Sequence, residues 1–170
     1  MIAYVDGGSR GNPGPAGIGV VIEHPTGRRV EISQAIGARD NNYAEYAALL
    51  VALEYAAAYA SPGLRVYSDS DVVVRQISGS YNCQSPALRD IYNACKSLIG
   101  NFQYFGITHI RRENNADADR LAKEAIERAT REKPPVNRQP SEPGFLESTV
   151  ARVSERLGEP HSLVSLEQPG

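Results

Sequence analysis

Three strand-like segments precede any helix-like one in this chain, and beyond them strands and helices alternate. Ile2–Asp6 is apolar and ends in glycines, Gly17–Glu23 (GIGVVIE) is a second run of strand formers, and Pro25-Thr26-Gly27 turns it into a third at about Arg28–Ile36. An Ala- and Leu-rich stretch then reads as a long helix from Asn42 through Tyr59. Asn41 and Asn42 offer N-cap chemistry at its start, and Ser61-Pro62-Gly63 ends it. Leu64–Ser68 reads as a short strand, Ser70–Ile77 as a helix, and Pro86–Ile99 as another with proline at its start. Tyr104–Ile110 is a fifth strand, and a last helix runs from a cap at Asn114 or Asn115 to about Arg131. Hairpins first and alternating units afterwards imply an α/β fold. Its five-stranded mixed sheet is antiparallel on one side and parallel on the other, flanked by helices.

The pattern stops near Lys133. All nine tyrosines lie before it, whereas the last 40 residues hold six of the eleven prolines. We therefore divide the chain into a globular domain, residues 1–132, and a Pro-rich tail, residues 133–170, whose run KPPVNRQPSEPG reads as a linker. Within the tail, Leu146, Val150, Val153 and Leu157 form one helical stripe over residues 145–157, a surface for a protein partner or for self-association. Disordered chain with transient helix accounts for that stripe equally well. The net charge is −2 and the sequence pI about 5.9, which excludes nucleic-acid binding by bulk positive charge. Any such partner must be gripped locally or through metal ions. Cys83 and Cys95 have neither disulfide-framework nor zinc-site spacing, and read as reduced thiols. No apolar run approaches the ~18 residues of a membrane span. The N-terminus MIAYVDGG lacks the charge pattern of a signal peptide, so the expected setting is cytoplasmic, with no membrane partner.

The acids fall in places that a plain scaffold does not require. Asp6 ends an apolar strand and shares a face with Ile2 and Tyr4; Asp69 follows another strand, at the sheet edge where ligands bind. Glu45 and Asp119 lie near the starts of helices, each beside core-type residues. Singly, each has an ordinary use, as a partner of the helix dipole or as an Asx turn. As a set they can converge, and converging carboxylates cannot all stay ionised without cations. Mg²⁺ or Mn²⁺ meets that need, and two such ions about 3.5–4 Å apart serve in-line phosphoryl transfer.

Four blocks carry a resemblance: DGGSRGNPGPAGIGVVI from Asp6, NNYAEYAALLVAL from Asn41, YSDSDVVVRQISGSY from Tyr67 and RRENNADADRLAKEA from Arg111. In content, order and spacing they resemble the motif blocks of type 1 ribonucleases H, across about residues 1–130. The resemblance implies a ribonuclease H-like fold of βββαβαβα order. It implies an endonuclease that hydrolyses the RNA strand of RNA–DNA hybrids, leaving 5′-phosphate and 3′-hydroxyl ends. It places the catalytic and metal-binding acids at Asp6, Glu45, Asp69 and Asp119. The pattern N-x-x-A-D-x-L-A selects Asp119 over Asp117, which is left as a solvated helix-face acid. Two Mg²⁺ ions, or Mn²⁺ in their place, are implied as cofactors. One activates a water, the other stabilises the leaving 3′-oxygen, and Asp6 bridges them. The glycine loop (Gly7, Gly8, Gly11) with Asn12, together with Asn42 and Gln76, falls at hybrid-binding positions, where contacts to sugar 2′-hydroxyls distinguish RNA from DNA. Asn41 is expected to be a helix cap only.

Three departures from that family are visible. No histidine lies in IRRENN, where many members carry a catalytic one; His109 falls earlier, in the fifth strand, and Arg112 and Glu113 are the candidates for its work. The stretch Gly79–Phe102, where some members carry a basic protrusion, holds only Arg89 and Lys96, so hybrid binding should be weaker and less salt-sensitive. Asp40 stands where a threonine is frequent, and its carboxylate repels a DNA phosphate. Other readings of the same residues are an exonuclease or structured-RNA nuclease on this core, or a catalytically weak hybrid-binding module whose tail recruits a partner.

Overall fold

The computed structural model describes residues 1–132. The linker, the apolar stripe and the partner surface expected in residues 133–170 lie outside the described residues. The elements are β1 (Ile2–Ser9), β2 (Gly14–Glu23), β3 (Arg29–Arg39), α1 (Asn41–Ala58), β4 (Gly63–Ser68), α2 (Asp71–Ile77), α3 (Pro86–Ile99), β5 (Tyr104–His109), a 3₁₀ turn (Arg112–Asn115) and α4 (Ala116–Arg131). They build one five-stranded sheet of order β3-β2-β1-β4-β5. β3, β2 and β1 pair antiparallel, while β1, β4 and β5 pair parallel. The mixed sheet expected from the element order is therefore present, and β1 is the strand where its two halves meet.

The first hairpin is longer than the sequence suggested. β1 runs past Asp6 to Ser9, because Gly7, Gly8 and Ser9 pair with Ile18, Gly17 and Ala16. Asp6 is thus inside a strand rather than at its end. α1 packs its Ala- and Leu-rich face on one side of the sheet, burying Leu49, Leu50 and Leu53 with Val5, Ile18, Val20 and Val66. α4 crosses the other face over β2. It can lie close because β2 offers glycines there: a Cβ on Gly19 would stand 2.0 Å from the Ala118 carbonyl oxygen. Each buried aliphatic side chain contributes about 1.5–3 kcal/mol, so the core fixes both helices against β1 and β2 firmly. Among the described residues no helix is long and apolar enough to cross a membrane. Cys83 and Cys95 are free thiols.

Candidate active site

The parallel register pairs Val5 with Ser68. The next residue on each strand is an aspartate, so Asp6 and Asp69 come side by side at the C-terminal side of the parallel half. α1 delivers the third acid. Gly7 makes that approach feasible, since a Cβ there would sit 2.2 Å from the backbone of Ala44. With β1 pressed so close, the Gly7 N–H donates to Glu45 Oε2 at 3.2 Å. One carboxylate oxygen each from Asp6, Glu45 and Asp69 lies within 4.8 Å of the other two. Asp119, on the first turn of α4, lies near enough for its charge to act on Asp6, and pairs with Lys123 Nζ at 2.8 Å. The four acids singled out in the sequence thus meet, three in a tight group and the fourth at its rim.

Their electrostatics differ with depth. Burial, then the charges of Asp69 and Asp119, push the Asp6 carboxyl up to about 8. Glu45 is raised well above the usual range by burial and then by Asp6 and Asp69, and the Gly7 N–H only partly offsets this. Burial also works against ionisation of Asp119, but the Lys123 ammonium, with smaller help from Asp6 and Arg112, holds it below the usual range. Asp69 is approached by Arg112 Nε at 3.7 Å. Carboxylates so crowded, with the inner two lacking any cationic side chain among the described residues, are compatible with binding of a hard divalent cation. Asp117 turns away to the surface, where Arg29 Nη2 lies 2.8 Å from it.

The expected substrate contacts separate into three kinds. Gly8, Gly11, Asn12 and Asn42 are half-buried or exposed around the first loop and the start of α1. Gly7 is buried with its N–H spent on Glu45, so it supports an acid rather than offering a surface contact. Gln76 is held by the hydroxyl of the buried Tyr46, which donates to Gln76 Oε1 and leaves the amide nitrogen free to donate. The asparagines expected as caps make no capping bond: α1 has Asp40 at its N-cap, and α4 has Asn115 there as expected. Asn41 does not cap α1; its backbone N–H donates at 2.8 Å to Asn12 Oδ1, so Asn12 reaches across from the loop to satisfy the helix start. Asn115 occupies the N-cap position of α4 without a capping bond, and its side chain points into the acid cluster instead. His24 hydrogen-bonds to Tyr55 at 2.7 Å, and His109 is exposed where β5 ends opposite Ser68.

Against known proteins, residues 4–125 match the family described as reverse transcriptase-like. Ribonuclease HI of Halobacterium salinarum is 41 % identical over 128 residues, covering 75 % of this chain and 64 % of that protein. The crystal structure of RNase H1 from the same archaeon superposes with a TM-score of 0.71 over 75 % of this chain and 97 % of that one. LC11-RNase H1, crystallised in complex with RNA/DNA hybrid, superposes with a TM-score of 0.70 at 41 % identity, over 76 % of this chain and 98 % of that one. The chain spans 64 % of the Halobacterium protein and 36 % of a bifunctional protein of Mycobacterium tuberculosis that is 39 % identical to it. With the family's fold, its motif blocks and its acids in one place, this chain belongs to the reverse transcriptase-like family as a type 1 ribonuclease H member.

Proposed function

We propose that the chain is an endonuclease that hydrolyses the RNA strand of RNA–DNA hybrids, leaving 5′-phosphate and 3′-hydroxyl ends. The observation that carries this reading is the convergence of Asp6, Glu45 and Asp69 oxygens within 4.8 Å, on a fold shared with RNase H1 structures. Asp6, Glu45, Asp69 and Asp119 would hold two Mg²⁺ ions, with Mn²⁺ able to replace them. Bound there, the ions supply charge neutralisation at the scissile phosphate and a water acidic enough to attack it. The protein's own part is placement. Gly7 fixes the Glu45 carboxylate, the β1–β4 register fixes Asp6 against Asp69, and α4 carries Asp119 to the rim. Asp69 faces Arg112, which is exposed and can turn towards a phosphate, and this makes Arg112 rather than His109 the group to test for the work of the missing histidine.

Substrate choice rests on the first loop. Asn12 binds the start of α1 through its oxygen and keeps its amide nitrogen for donation; Gly8, Gly11, Asn42 and the free amide of Gln76 complete a polar strip for the RNA minor groove. Residues 1–132 form the catalytic unit in this reading, and the tail serves a partner or self-association. The site sits in a chain with net charge −2, so the ions do most of the neutralisation. The test is a panel of one RNA sequence as hybrid, RNA duplex and single strand. Cutting confined to the hybrid supports the proposal; preferential cutting of duplex RNA, or removal of terminal nucleotides only, replaces it with a different nuclease on the same core.

A further inference from the structure

Asn115 is an uncharged residue that ties together the elements carrying the acids. It is 2 % exposed, and its Nδ2 donates to the Val5 carbonyl at 2.9 Å and to Asp69 Oδ1 at 3.3 Å. Both neighbours can only accept, so the nitrogen must face them and the amide orientation is fixed by chemistry. The other end of the amide, Oδ1, is buried with no partner among the described residues. Val5 immediately precedes Asp6, and Asp119 lies four positions along the chain from Asn115. One side chain thus joins β1, the end of β4 and the start of α4, the three elements that supply Asp6, Asp69 and Asp119.

A residue chosen only to start a helix would cap it, and Asn115 makes no side-chain cap bond. A residue chosen only for packing would not leave a buried oxygen unmatched. What asparagine does here, and few others can, is give one hydrogen to a backbone carbonyl and a second to a carboxylate. Aspartate would set acceptor against acceptor. Leucine would fill a similar volume and give neither hydrogen.

We infer that Asn115 is a positioning residue: its amide holds Asp69 in the rotamer that faces Asp6, so that the cluster is assembled for divalent cations before substrate arrives. This rests on the nuclease reading above for its purpose, but not for its test. Asn115 touches neither substrate nor the reacting atoms in this view, and acts through Asp69.

The test uses the full chain and Mn²⁺ alone as probe. Binding is followed by the Mn²⁺ paramagnetic resonance signal, and the Asp69 rotamer by side-chain scalar couplings in chelator. Loss of such an outer contact typically weakens metal binding or activity about 10- to 100-fold. In Asn115→Ala we expect Mn²⁺ affinity to fall in that range, Asp69 to occupy more than one rotamer, and kcat on a hybrid to drop by a similar factor with KM changed less than about threefold. Should Asn115→Ala fail to fold, Asn115→Ser, which keeps one donor, should fold and show an intermediate loss of affinity. A folded variant in which Asp69 keeps one rotamer and Mn²⁺ binds as in the parent would overturn the inference and leave Asn115 as a strut between β1 and α4. A parent chain that binds Mn²⁺ but cuts no hybrid would sink the nuclease reading while the comparison of affinities and rotamers still decides the role of Asn115.

Discussion

The inner and outer halves of the acid cluster solve the same electrostatic problem in opposite ways. Asp6 and Glu45 are 4 % and 8 % exposed, and both carboxyls are pushed up by burial and by their neighbours. Asp69, within the tight group, and Asp119, at its rim, each stand beside a basic side chain that is itself largely in solvent: Arg112 at 3.7 Å and Lys123 at 2.8 Å. These two acids therefore have partners that reach in from solvent and can swing away. The inner acids have none, and burial and crowding oppose the charge on both. The difference teaches that the fold tolerates a costly centre and a cheaply opened rim, which suits a site loaded from solvent. The surface acids of the same domain look different again: Asp71 and Asp117 are paired directly with Arg75 and Arg29.

The sharpest way to break this contrast is to remove an inner charge. Asp6→Asn should lower hybrid cleavage by at least about 100-fold while the protein stays folded. In chelator at pH 8 the variant should melt higher than the parent, because a neutral amide replaces a carboxylate that resists ionisation. A variant that cleaves normally, or melts lower, removes the inner pair from the account.

Titration sharpens the same contrast. Folded Asp6 keeps its proton up to about pH 8, whereas an unfolded aspartate loses it near the ordinary value of 3.8. Between those limits the folded chain binds more protons than the unfolded one, so stability must fall as pH rises through the window. The expected loss in chelator is on the order of a few kcal/mol, read from urea unfolding at pH 5 and pH 8. Millimolar Mg²⁺ should restore much of it at pH 8 and little at pH 5. Stability that is flat across this range contradicts the raised carboxyl.

The rim should respond least. Lys123→Ala frees Asp119 from an i,i+4 pair whose lysine is in solvent, so stability should change by no more than about 0.5 kcal/mol. The Mg²⁺ concentration for half-maximal cleavage should fall by a small factor, about two- to threefold, as the ammonium no longer competes for the carboxylate. A large rise instead would make Lys123 part of the working site.

Much of this was legible in the sequence, and the reasons differ by residue. Strand alternation, turn residues and helix signals are local, so the element order and the mixed sheet could be read directly. The acids stood out because charge at strand ends and beside core residues is unusual, and because their motif blocks are specific. The full length of β1 was hidden, since Gly7 and Gly8 look like a turn and only their pairing with Ile18 and Gly17 makes them strand. The caps misled for a related reason: Asn41 and Asn115 have capping chemistry, but which backbone or carboxylate an amide meets depends on tertiary approach. Asn12 serves Asn41 from 29 residues away, and Asn115 serves Val5 from 110 away. Tyr46 reads as core from its neighbours, and nothing local reveals that its hydroxyl meets Gln76.

The decisive experiment is cleavage of one end-labelled RNA strand, presented as RNA–DNA hybrid, as RNA duplex and alone, with Mg²⁺, Mn²⁺ or EDTA, and with Asp69→Asn alongside. The expected result is internal cutting of the hybrid only, dependent on the metal and lost in the folded variant. Hybrid cutting that survives EDTA or Asp69→Asn, or a folded parent that cuts nothing with either metal, would contradict it.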